Sequence, residues 1–79
     1  MAILETQGRH PSIVAVSRRF EIDHLTDPDL RQVGMASARL AAEMLARIRG
    51  EDVELTKALD KLADARDGFM RALKYTQGG

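Results

Sequence analysis

The chain is predicted to be all-α: a short N-terminal helix followed by a two-helix antiparallel hairpin, assembling as a homo-oligomer. Three observations carry that prediction. Two long stretches, 28–49 and 52–75, place apolar residues at helical spacing. Gly50 and an acidic run divide them with too few residues for anything but a tight turn. The chain has 79 residues and no cysteine, so it has a small core and no disulfide or thiolate metal staple. Oligomerisation is the remaining way to stabilise it.

Residues 1–10 show no sustained period and are read as a flexible or partner-docked arm, with residues 11–79 forming the single domain. A short helix is expected over about 12–20, capped by Ser12, with Ile13, Val16 and Phe20 on one face. The β-branched residues Ile13, Val14 and Val16 make a strand a competitor, but one isolated strand would have no partner. Glu21 to Asp27 is read as a connector.

Asp27 before Pro28 is a helix start with a mechanism. The carboxylate accepts from an orphan amide, and proline at the first helical position gives up a donor that would be unpaired anyway. From there to Arg49, Leu30, Val33, Ala41, Met44, Leu45 and Ile48 follow helical spacing, and Gly50 is the expected stop. Glu51, Asp52 and Glu54 place negative charge where the next helix's dipole favours it. That helix runs through Leu55, Leu59, Leu62, Phe69, Met70 and Leu73 to about Tyr75, leaving Gly78 and Gly79 as a frayed end. Each long helix has about 22 residues and spans roughly 33 Å.

The pattern breaks at one height. Leu55, Leu59, Leu62, Phe69 and Leu73 fall within about 40° of the stripe's centre, and Arg66 falls among them; on the first long helix Ser37 lies on the stripe. With the turn centred near Gly50 to Asp52, residues whose numbers sum to roughly 103 face each other, which sets Ser37 against Arg66. A guanidinium at a buried seam is costly unless an anion or water meets it. Two readings stand: an anion site, or an Arg66 that reaches outward or pairs with a carboxylate such as Glu43 of its own or a neighbouring chain.

A second local feature is Arg18, Arg19 and Phe20, with His24 four residues on. Two guanidiniums beside a ring suit a nucleotide, the ring stacking on a base and the arginines forking onto phosphate. The alternative is that Phe20 staples the first helix to the hairpin while the arginines are solvated. Catalysis is not expected. His24 has only His10 as a histidine companion, and the sequence holds no nucleophile elbow, phosphate-binding glycine loop, metal-ligand spacing or HExxH helix.

The residues just named resemble the helical-hairpin family of phage sponge proteins that counter the CBASS and Thoeris bacterial defences. The resemblance is carried by His10-Pro11 through Arg19-Phe20 into His24-Leu25, and by Glu54-Leu55-Thr56 through Leu59, Lys61-Leu62, Ala65-Arg66-Asp67 and Gly68-Phe69-Met70. It spans roughly residues 10–74. It implies an all-helical hexamer that binds cyclic di- or trinucleotides, or a cyclic ADP-ribose relative, tightly and without cutting them, in pockets shared between chains. It implies no cofactor and no metal. By that resemblance Arg18 or Arg19, Lys61 and Arg66 take phosphates, Phe20 stacks on a base, His24 belongs to the site, and Thr26 or Ser37 adds a hydroxyl. Two departures bear on the ligand: Ile22 and Asp23 stand where relatives carry an aromatic residue just before the His-Leu step, and the following proline is displaced to Pro28. The alternative function is an oligomeric helical module that docks a protein partner.

The charges balance at 12 basic and 12 acidic residues, so no global field marks a DNA, RNA or membrane-surface binder. Met1 to Arg9 lacks the charged start and apolar run of a signal peptide, and no segment approaches the ~20 apolar residues of a membrane span. The expectation is a cytoplasmic protein, which by the resemblance means the host bacterial cytoplasm during infection.

Overall fold

The structure, a computed structural model, describes residues 4–78 and side chains as far as Tyr75. It is all-helical: α1 (Pro11–Ser17) runs into a 3-10 turn (Arg18–Phe20), followed by α2 (Pro28–Arg47) and α3 (Asp52–Gly78), with no strand among the described residues. Gly79 lies outside the described residues, as do the first three residues of the expected arm. The body measures 45 × 22 × 18 Å, the shape of a hairpin with one short helix laid along it.

The start of α1 differs from expectation by one step. His10, not Ser12, caps it: the His10 ring Nδ1 accepts from the Ser12 amide at 3.1 Å, and Pro11 occupies the first turn. Ser12 is thereby free to meet the hairpin, its hydroxyl 2.8 Å from that of Thr56. The expected cap of α2 is present, with Asp27 Oδ1 accepting from the amides of Asp29 (2.8 Å) and Leu30 (3.3 Å). At its other end α2 stops at Arg47, two residues short of expectation, with Ile48 in an extended conformation. Gly50 adopts φ +104°, so it makes the reversal without making the cap.

Why the chain stops there is visible in residues 4–10, which lie against the hairpin end. Leu4 is buried at 6% exposure. The Arg9 guanidinium donates to the carbonyls of Leu45 and Ile48 (2.8 Å to the latter) and to Asp52 Oδ1 (2.8 Å). Arg9 therefore ties the orphan carbonyls ending α2 to the carboxylate beginning α3; the guanidinium complements the negative end of the α2 dipole, and Asp52 the positive end of the α3 dipole. The His10 amide adds a 3.0 Å bond to the other Asp52 oxygen.

The core is a three-helix wedge, not a two-helix seam. Ile13, Val16 and Phe20 from the N-terminal segment meet Ala38, Ala41 and Leu45 of α2 and Leu55, Leu59 and Ala63 of α3. Small residues on the hairpin let α1 approach closely. Relative to the stripe expected from spacing, the buried line of each long helix is rotated toward α1: Gly34, Ala38, Ala41 and Leu45 are buried on α2, while Leu40 and Phe69 are exposed. Among the described residues no helix is long and apolar enough to cross a membrane.

Candidate functional site

Arg66 lies in the innermost line of α3, with 5% of its surface exposed. Its position follows from the helix period: Leu55, Leu59, Ala63 and Arg66 fall one turn apart on the side covered by the N-terminal segment. One terminal nitrogen donates to the backbone carbonyl of Glu21 at 3.2 Å, and the buried Nε–H has no acceptor. Within its own chain Arg66 does not pair with Glu43, whose carboxylate is bonded to Arg47 at 2.9 Å on the same helix. Nor does Arg66 reach outward. The outcome is a buried cation met by one carbonyl and no carboxylate among the described residues.

The connector that covers Arg66 is itself pinned. A tight turn closes from the Leu25 amide to the Ile22 carbonyl at 2.9 Å, and Arg31 donates to the carbonyls of Ile22 (3.1 Å) and Leu25 (3.0 Å). Ile22 and Leu25 rest on Gly34, where a Cβ would stand 3.0 Å from a methyl carbon of each. Gly34 thus serves as a seat for the connector. His24 and Thr26 project from this connector and are exposed.

The remaining expected site residues are dispersed. Phe20 is 1% exposed and belongs to the core, so in the single chain it presents no face to a base. Arg19 is committed to three carboxylates spaced along α3: Asp60, Asp64 at 2.7 Å and Asp67 at 3.2 Å. Hydrogen bonds to Asp64 and Asp60 raise its pKa. Arg18 and Lys61 are exposed and form no ion pair among the described residues. Lys61 borders a shallow hollow with Glu54, Lys57 and Ala58 on the outer side of α3.

Ser37 does not meet Arg66 in the single chain and sits away from the side of the hairpin that the N-terminal segment covers. It lines a hollow with Val33, Leu40, Leu62, Phe69 and Leu73, and its hydroxyl donates to the Val33 carbonyl at 3.0 Å. The polar step on the seam therefore resolves into two places.

The chain matches no known protein family, curated protein or solved structure. The site rests on its own geometry.

Two features escaped sequence reasoning. One is the Arg9 bracket, whose signal was an arginine placed to reach a helix C-terminus. The other is the Asp60, Asp64, Asp67 series, whose i, i+4, i+7 spacing marks one face able to receive a single guanidinium. No group of three or more histidine, cysteine or carboxylate side chains suited to a metal ion occurs among the described residues.

Proposed function

We propose that this chain is a non-catalytic binder of cyclic nucleotide messengers, cyclic di- or trinucleotides or the cyclic ADP-ribose type, which it sequesters as a homo-oligomer to block bacterial anti-phage defence. The observation that carries the reading is Arg66, a guanidinium taken out of water and given one carbonyl but no counter-charge among the described residues. A phosphate diester offers that group two anionic oxygens in the fork geometry that guanidinium favours. Arg18, Lys61, His24 and Thr26, all exposed, are then open to ligand shared with neighbouring copies. The two stretches that carry the family resemblance also pack on each other, through Ser12 with Thr56, Arg19 with Asp60, and Glu21 with Arg66.

Binding without turnover fits the side chains at hand. His10 Nδ1 is occupied as a helix cap, and His24 is an exposed turn residue with no hydrogen bond to a carboxylate among the described residues to orient it as a base. A thermal-shift screen against cyclic di- and trinucleotides and cyclic ADP-ribose isomers tests the reading. At least one should raise the melting temperature by several degrees, as expected for a ligand at about a hundred times its Kd, and be recovered intact. No shift across the panel would remove the proposal.

A second reading, an oligomeric module that docks a protein partner, is favoured by the apolar hollow between α2 and α3. On that reading Arg66 meets a carboxylate of another chain at a second contact, on the side of the seam away from the hollow, and Arg66→Ala would abolish assembly as well as any ligand response.

A further inference from the structure

The hollow flanked by Leu40 and Phe69 lies on the face of the hairpin opposite the one that α1 covers. It is lined by Val33, Ala36, Leu40, Leu62, Phe69 and Leu73. Phe69 is 63% exposed and Leu40 45%, although both sit on helices whose inner faces are well packed. On α3 the face continues at alternating spacings of four and three residues through Ala58, Leu62, Ala65, Phe69 and Ala72, the heptad pattern that presents a seam to another helix. Its polar content is already spent. Ser37 donates to Val33, and the nearby Glu43 and Arg47 pair with each other at 2.9 Å.

We infer that this face is the surface through which a second copy of the chain docks, hairpin on hairpin. Three arguments select a second copy. First, a two-fold contact must be self-complementary, and this face carries both halves of a fit: protruding Leu40 and Phe69 beside the small residues Ala36, Ala65 and Ala72. Secondly, the hollow leaves no unspent donor to orient a small polar ligand, whereas an apolar helix face requires none. Thirdly, the size fits. From Ala58 to Leu73 α3 covers about 22 Å, and two helices are roughly 20 Å across, so two such faces bury about 900 Å² before side-chain relief is counted, close to the ~1,000 Å² of a specific contact. The other exposed large apolar residues, Ile48 and Val53 at the hairpin turn and Tyr75 near the end of α3, do not line this hollow.

This inference concerns the assembly assumed in the proposed function but does not depend on any ligand. It is tested on the purified chain without nucleotide, by sedimentation velocity and by cysteine cross-linking in a protein that has no cysteine of its own. Wild type should sediment as a multimer, and Leu40→Glu and Phe69→Glu should each lower the mass while circular dichroism remains helical. Val53→Glu and Tyr75→Glu should keep it. For the case in which a glutamate prevents folding, Phe69→Cys and Val53→Cys in otherwise wild-type protein supply an independent reading: mild oxidation should yield covalent dimer from the first and not the second. A monomeric wild type, or a Phe69→Cys that cross-links no better than Val53→Cys, overturns the inference. If the multimer survives both glutamates, another face holds it and this inference falls. The ligand proposal is then still decided by its own thermal shift.

Discussion

A guanidinium held away from water with a single carbonyl to meet it is a poor contributor to stability. Arg66 is such a group, because desolvation removes its hydration and the Glu21 carbonyl returns only part of it. Replacing it with a side chain of similar length and no polar atom should therefore separate its effect on stability from its role in the proposed binding. Arg66→Met should melt within a few degrees of wild type or above it, since it removes a buried N–H that lacks an acceptor, worth about 1–3 kcal/mol. It should also lose the response to every cyclic nucleotide; thermal denaturation with and without ligand reads both. Gly34 makes the opposite case, a residue chosen for what it lacks. Any Cβ there meets Ile22 and Leu25 at 3.0 Å, so the gain in helix propensity from replacing glycine is set against a connector pushed off its seat. Gly34→Val, with two further methyl groups in that space, should cost about 1–3 kcal/mol in urea-induced unfolding.

Among the elements, the junction of α2, α3 and the N-terminal segment is held by Arg9, whose side chain is only 7% exposed. Arg9→Ala removes a charged donor from two helix-end carbonyls and from Asp52 at once. A drop in melting temperature of roughly 5–10 °C is expected. Asp52 gives the same junction a pH dependence. The His10 amide bond lowers its carboxyl pKa, burial opposes this, and Arg9 assists. A carboxyl lowered on folding stabilises above its unfolded value, near 3.9, and that contribution is lost as pH falls through the folded value. Melting curves of wild type and Asp52→Asn should therefore differ at pH 7 and converge below about pH 4. The start of α2 was legible in Asp27 before Pro28, and the reversal in Gly50, but the end of α2 was not, since the helix stops at Arg47 before reaching that glycine. Nor was the facing of the elements legible. Spacing alone gives a stripe wide enough to serve two partners, and the short α1 decides which flank is buried. For that reason Ala63 is core and Phe69 is not, although the wheel favoured the reverse. The same rotation explains why Arg66 was recognisable as an anomaly while its separation from Ser37 was not. Phe20 and Arg19 illustrate a further limit: an Arg-Arg-Phe run reads equally as a nucleotide grip and as a helix staple, and only the carboxylates of Asp60, Asp64 and Asp67 across the interface show that Arg19 is already engaged.

For the whole molecule, a chain of 79 residues with no cysteine and a core that leans on alanine is expected to draw stability from association. Its melting temperature should accordingly rise with protein concentration, because a partner that binds only the folded state stabilises by mass action. Differential scanning across a hundredfold range of concentration checks this. A concentration-independent transition would mean that the hairpin is self-sufficient. In the proposed assembly, copies are held through their outer apolar faces, and the side of the hairpin on which Arg66 is buried faces away from that contact. The measurement that tests assembly and recognition together most directly is native mass spectrometry of the purified protein incubated with a mixture of cyclic di- and trinucleotides and cyclic ADP-ribose isomers. The account predicts an oligomer carrying a whole number of intact ligands, with the same oligomer of Arg66→Met carrying none. A monomer, or an oligomer that leaves every nucleotide unbound, would contradict it.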